Sequence, residues 1–203
     1  MYTLSTLESL IDFYLGASNI YSDKTTAANS ARRYILMNYD VRDFIKTDTL
    51  TFASGIADFP SDYFRAVKMI KTNDSTYQYY SVDEDQFDEN LPRHFTIKDD
   101  SGTRKIFIQP TSTTSTTLRY IYKPDDLTGT GSEVVGFNDF WLDAHAAFSA
   151  WWLLNADRQP IAQEKFIFAQ ELAQSALVAE TRELKATDEI STSFEKINMF
   201  DEY

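Results

Sequence analysis

Three regimes of hydrophobic spacing divide the chain. Near its start Leu7, Leu10, Ile11, Tyr14 and Leu15 recur at helical intervals, which predicts an amphipathic helix because residues three and four apart share a face. Ser5 followed by Glu8 has capping-box spacing at the entry, and Gly16 offers a left-handed stop. A second helix is expected from the N-cap oxygens of Ser22 and Asp23, through Ala27, Ala31, Tyr34, Ile35 and Met37 towards Phe44. Tyr39 and Val41 mark a break within it.

From Thr49 the period drops to two. Leu50 and Phe52 alternate with Thr49 and Thr51, Ala66–Lys71 is strand-like, and Asn73-Asp74-Ser75 turns the chain into Tyr77–Tyr80. His94–Lys98 alternates, and Asp99-Asp100-Ser101-Gly102 then leads into Arg104–Ile108, the clearest hairpin in the sequence. Thr117–Tyr122 is a last strand, ended by Lys123-Pro124, and the Ser/Thr run at Thr111–Thr117 reads as a loop. Five or six short strands joined by short loops predict a small antiparallel sheet or sandwich, since a parallel pair needs a long crossover.

Helical spacing returns after a loop at Asp125–Gly136 that contains Gly129, Gly131 and Gly136. Trp141, Ala144, His145, Phe148, Trp151, Trp152 and Asn155 form one broad stripe; Pro160 then suits a first helical turn, and Ile161 to about Lys185 reads as the longest helix. Its apolar residues (Ile161, Phe168, Leu172 on one line, Phe166, Ala169, Ala173, Leu177 on another) occupy more than one face, so both sides are expected to be covered. The polar, acidic segment Ala186–Tyr203 is punctuated by Ile190, Phe194, Ile197, Met199, Phe200 and Tyr203. A purely solvating tail holds few aromatics. The pattern suits a segment that docks on a partner, with folding back on its own chain and simple disorder as the other readings.

Composition narrows the function classes. At 203 residues the chain is expected to be one domain with an excursion from its core. Fifteen Phe, twelve Tyr and three Trp fit either an aromatic core or an interface-rich protein. The absence of cysteine removes disulfides, thiolate metal sites and thiol nucleophiles. A net charge of −12 repels phosphate backbones, which argues against sequence-specific nucleic-acid binding but not against a surface that DNA slides past. Met1–Asp12 carries no basic stretch, and Phe148–Leu154, the longest apolar run, falls far short of the roughly 20 residues a membrane span needs. A soluble protein without an export signal is expected.

Little in the sequence points to catalysis. There are two histidines: His94 falls in an expected strand and His145 on an apolar helical stripe, where a packed, hydrogen-bonded role is expected. Asp143 lies two residues from His145 and so on a different helix face, which breaks the base–carboxylate pairing of a triad. No His-Glu-x-x-His or phosphate-binding glycine loop is present. Asp83, Glu84, Asp85, Asp88 and Glu89 form the densest acidic run. Such clusters hold cations or hydrolyse glycosides, but a short helix opened by Ser81-Val82-Asp83 explains them as a solvated face, with Val82 and Phe87 inward. No enzyme activity, cofactor or metal is expected; an acidic hydrolase or lyase is the outlying alternative.

One ordered set of segments has a counterpart. Phe59-Pro60-Ser61-Asp62-Tyr63-Phe64-Arg65 precedes a strand, a hairpin ends in Ile106-Phe107-Ile108-Gln109-Pro110, and Leu118–Pro124 follows. A helix then begins Phe140-Trp141-Leu142-Asp143-Ala144, and a long helix starts near Pro160. In these segments, over about residues 5 to 180, the chain resembles the head-to-tail adaptor (connector) proteins of tailed bacteriophages, in particular the helical-bundle adaptors of short-tailed phages. It departs from them in the long Asp125–Gly136 loop. The resemblance implies an α+β fold: a helical bundle of N- and C-terminal helices (about 5–46 and 138–185) with an inserted small antiparallel β-rich region (about 48–124). These form one adaptor domain over 1–185, followed by an extended C-terminal docking tail over 186–203. It also implies a structural virion protein at the head–tail junction, assembled in the host cytoplasm. About a dozen copies would form a ring between the portal protein and the tail or nozzle proteins. Genomic DNA would pass through without sequence-specific binding, and no membrane is involved. Another phage neck, ring or tail-completion protein is the alternative.

Overall fold

The structure, a computed structural model, describes residues 1–16, 21–71, 74–82, 87–88 and 93–198, with residues 71, 74–78 and 184–198 described by backbone alone. The chain divides into two compact units. One joins Met1–Asp43 to everything from Asp126 onward; the other is the continuous segment Phe44–Asp125.

The first unit is built from α1 (Leu4–Leu15), α2 (Lys24–Asn38), α3 (Leu142–Ala156) and α4 (Ala162–Asn198). Helix α3 is its hub: Ala144, His145, Ala146, Ala147, Phe148, Ser149 and Ala150 are all buried, because α1, α2 and α4 pack around it. Small residues on the partners, Ala27, Ala28 and Ala31 on α2 and Ala169, Ala173 and Ala176 on α4, let the helix backbones come close. The buried positions of α4 (Ala162, Ala169, Ala173, Ala176, Glu180) keep the three–four spacing of a single seam. Thr3, not Ser5, caps α1, its Oγ1 accepting from the Thr6 amide, while Gly16 ends the helix at φ 69° as expected. Asp23 does occupy the N-cap of α2, but its side chain caps nothing.

The segment after Asp125 is a loop firmly sewn to this unit. The Leu4 and Ser5 amides donate to the Glu133 and Gly131 carbonyls, and the Val135 amide donates to Tyr2. Asn29 on α2 acts as a surrogate strand, donating to the Leu127 carbonyl (3.1 Å) and accepting from the Leu127 amide (2.8 Å). Buried Leu127, Val135 and Phe137 then fill the space beneath.

The second unit is a seven-stranded sheet, nearly closed into a barrel. Its strands are β1 (Ile45–Thr51), β2 (Ile56–Asp58), β3 (Tyr63–Lys71), β4 (Asp74–Ser81), β5 (His94–Asp100), β6 (Thr103–Gln109) and β7 (Ser115–Tyr122). They lie in the order β1-β7-β3-β4-β5-β6-β2, and an Ala53–Ile56 bridge brings the chain of β1 round to β2. Leu50, Phe52, Met69, Phe95, Ile106, Ile108, Leu118 and Tyr120 fill the interior. Gly55 makes the β1–β2 turn at φ 79°, and a Cβ there would stand 2.8 Å from Thr111 Cγ2 and 3.1 Å from the Ile108 carbonyl oxygen. Only glycine fits both constraints.

This architecture corrects the helical bundle with a small antiparallel β insertion. The chain is a mixed α+β protein in which the sheet is a seven-stranded body with its own core. Nor is the sheet purely antiparallel: β4 and β5 pair in parallel through Tyr80–His94 and Ser81–Phe95. The reason is length, since residues 82–93 join these strands and can return the chain to the start of β5. The extended tail is corrected as well, because the backbone of α4 stays helical through Asn198.

Candidate functional site

The two histidines are structural. His145 is fully buried; its Nε2 lies 2.8 Å from the Ala28 carbonyl and its Nδ1 2.9 Å from the Tyr2 hydroxyl. A carbonyl only accepts, so Nε2 carries the hydrogen and Nδ1 accepts from Tyr2. Burial drives the imidazole pKa down to about 3 and raises the Tyr2 hydroxyl, which keeps both groups neutral. His94 is buried in β5 and accepts from the Asp88 amide at 3.2 Å, its ring edge-on to Phe87. Both imidazoles are thus buried and hydrogen-bonded within the chain.

Of the acidic run, Asp83, Glu84, Asp85 and Glu89 lie outside the described residues. Among the described residues no group of three or more His, Cys, Asp or Glu is placed to hold a metal, and no helix is long and apolar enough to cross a membrane. A cavity of about 360 Å³ beside the β1–β2 turn brings together one carboxylate, Asp58, and Lys105. Another of about 240 Å³, between β3 and β5, is lined largely by Tyr63, Val67, Met69, Tyr79 and Phe95.

The polar centre of the β unit sits on the Pro60–Arg65 segment. Tyr120 places its hydroxyl 2.7 Å from Asp48 Oδ2 and 2.8 Å from Asp62 Oδ1, and Asp62 also pairs with Lys46. The Asp62 carboxylate thus ties β7 to β1, and its carbonyl accepts from the Lys123 amide. Lys46 and the Tyr120 hydroxyl hold the Asp62 carboxyl below the usual range, while burial and the two carboxylates raise Tyr120. The cluster's polar groups are thus paired with one another.

What the molecule does offer is surface. On the helical unit Phe13 is 73% exposed and Phe168 39%, and Tyr14 stands between them with ring centroids at 5.4 and 5.8 Å. Tyr14 is anchored by its hydroxyl to Asp143 at 2.8 Å. Ile161, just before α4, and Ile167 and Val178 on it are also exposed. Both sides of this helix were expected to be covered; Ala169 and Ala173 are buried against α3, but Ile161 and Phe168 on the other line stay open.

Partner docking was assigned in the sequence to Ile190, Phe194, Ile197, Met199, Phe200 and Tyr203. The side chains of the first three lie outside the described residues, and so do the last three residues entirely. Phe13 and Val178 were missed, since a lone aromatic before Gly16 and a valine in a mixed helix carry no periodic signal of exposure.

Charge is unevenly divided. The helical unit carries 9 Lys/Arg against 19 Asp/Glu, the β unit 10 against 12, five of the latter in the acidic run Asp83–Glu89. A family model described as SU10 adaptor protein matches residues 2–193. No curated protein matches the chain.

Proposed function

The chain belongs to the SU10 adaptor protein family and is a structural head-tail adaptor of a bacteriophage, and we propose that it forms a ring between the portal and the tail, extending the DNA channel and giving the tail its attachment surface. The observation that carries this reading is the extent of the family match, which spans both the helical and the β unit. Work of this kind is done by surfaces. The sealed histidines, the internally paired Asp48–Tyr120–Asp62 cluster and the open aromatic patch on α1 and α4 all accord with it.

Within this proposal the segment Ala186–Tyr203 reaches the portal, with Ile190, Phe194, Ile197, Met199, Phe200 and Tyr203 as anchors. Each aromatic fully buried there would contribute on the order of 1.5–3 kcal/mol, and repetition around a ring multiplies modest contacts. A net charge of −12 suits a channel wall that DNA passes without sticking. The test is reconstitution with the portal protein of the same virus, followed by electron microscopy. Ring density beneath the portal, weakened by deleting Ala186–Tyr203, is expected. Recovery of the protein with tail components alone would overturn the portal assignment.

A further inference from the structure

The β unit carries an electrostatic misfit that its own fold does not explain. Lys68 on β3 and Arg119 on β7 are direct cross-strand partners, and Thr47 on β1 completes the row. Partners in register project from the same face of a sheet, and like charges directly opposite each other destabilise the pair. All three side chains are exposed, and among the described residues neither cation takes part in an ion pair. The row is flanked on the same face by Thr49 and Thr117, so two positive charges stand on a hydroxyl-rich strip.

A matching surface of opposite sign exists on the helical unit. Glu164 and Glu171 are seven residues apart on α4, hence on one face, and Phe168 and Val178 share that side. Both glutamates are exposed, and among the described residues neither has an ion-pair partner. The seam of α4 against α3 points away from this face, which leaves it open.

We infer that the Thr47–Arg119–Lys68 row docks onto the Glu164–Glu171 face of α4 in a second copy of the chain. Both surfaces are exposed within a single chain, so an intermolecular pairing uses them without displacing anything. The charge division supports it: outside the acidic run Asp83–Glu89, the β unit holds 10 Lys/Arg against 7 Asp/Glu, whereas the helical unit is strongly acidic. Two different patches meeting make a heterologous contact, the type that generates rings when the rotation closes. The inference rests on the ring proposed above and supplies its subunit contact. A duplex-DNA partner for the basic row is disfavoured, because two cations must act against a net charge of −12.

The test uses the purified full chain in sedimentation velocity, across a protein and salt series. Wild-type protein is expected to self-associate at low salt and to dissociate as salt screens the exposed pairs. Lys68→Glu with Arg119→Glu should weaken association at least about tenfold, as loss of two exposed pairs and the added repulsion require. Glu164→Lys with Glu171→Lys should do the same, and combining all four substitutions should restore association. Circular dichroism checks that each variant is folded. Wild-type protein that stays monomeric at low salt overturns the contact, as do reversals without effect or a quadruple variant without rescue. Loss of duplex-DNA binding instead of self-association would reassign the basic row to nucleic acid. Portal binding is scored separately: a chain that binds the portal but fails these tests sinks this contact and spares the adaptor reading.

Discussion

Tyr2 donates its hydroxyl hydrogen to Nδ1 of His145 across 2.9 Å, joining the first residues of the chain to the centre of α3. The other ring nitrogen donates to the Ala28 carbonyl of α2, so one neutral imidazole links three parts of the helical unit. The tautomer is set by chemistry alone, since the carbonyl has no hydrogen to give.

That arrangement makes the helical unit acid-sensitive. His145 has a folded pKa of about 3 against 6.5 when unfolded. A depressed base favours the folded state above the unfolded pKa, and that advantage is lost as pH falls from about 6.5 towards 3. The full swing is on the order of 5 kcal/mol at one pKa unit per 1.36 kcal/mol. Glutamine offers one donor and one acceptor at similar reach but does not titrate. Urea unfolding at pH 7, 5 and 4 should therefore show wild type losing stability relative to His145→Gln as pH falls. Parallel curves would mean that His145 is solvated or already charged.

Tyr120 presents one hydrogen to two carboxylates, and its ring lies in the core of the β unit. Tyr120→Phe keeps the ring and removes the hydroxyl. It should cost about 1–3 kcal/mol, the usual penalty for stripping a hydrogen bond to a charged acceptor, read as a lower urea midpoint with unchanged slope. A loss below a few tenths of a kcal/mol would show that water replaces the hydroxyl at no cost.

Gly55 meets two demands at once, a positive φ and a backbone that passes close to Thr111 and Ile108. Gly55→Ala should destabilise the β unit by about 1–3 kcal/mol, the range for a residue held in a sparsely populated conformation. Gly102, also at positive φ but with open space at its Cβ position, is the control: Gly102→Ala should be milder. Equal losses would show that φ alone, not the close approach, sets the penalty.

The features that were legible in the sequence are those decided locally. The Asp100-Ser101-Gly102 hairpin, the Gly16 stop and the strand ends before Pro110 and Pro124 depend on neighbouring residues, and each is where the spacing predicts. The size of the sheet depends on distant partners. Strand β1 is mostly exposed and polar, and it becomes a strand by pairing Ile45 with Ile121; β2 has three residues, too few to show a period. Ser5 was the expected cap, and Thr3 takes the place instead, with the Leu4 and Ser5 amides held by the Glu133 and Gly131 carbonyls. For the candidate docking surface, the two apolar lines of α4 were visible, but which one α3 covers is decided by the alanines that allow close packing. The Lys68–Arg119 pair required the register, which no local pattern contains.

Among the described residues Glu180 is the one buried carboxylate on the α4 seam, and it holds the unit's polar junction together. Its two oxygens accept from the Asn138 side-chain amide at 2.7 Å and the Arg42 backbone amide at 3.4 Å, while Asp43 accepts from the Asn138 amide at 2.8 Å. Burial raises the Glu180 pKa above its ordinary 4.5, against the lowering effect of those donors. The folded state therefore binds a proton more readily than the unfolded state does, so stability from this group is present at acid pH and is lost as pH rises through the raised value. Glu180→Gln does not titrate. The stability gap between wild type and this variant should narrow as pH climbs above about 4.5, the reverse of the His145 trend. Glu180→Ala strands both donors at every pH and should cost about 1–3 kcal/mol throughout. A gap to the glutamine variant that widens with pH would mean the carboxylate, not the acid, is the form the fold prefers, and that the two donors outweigh burial.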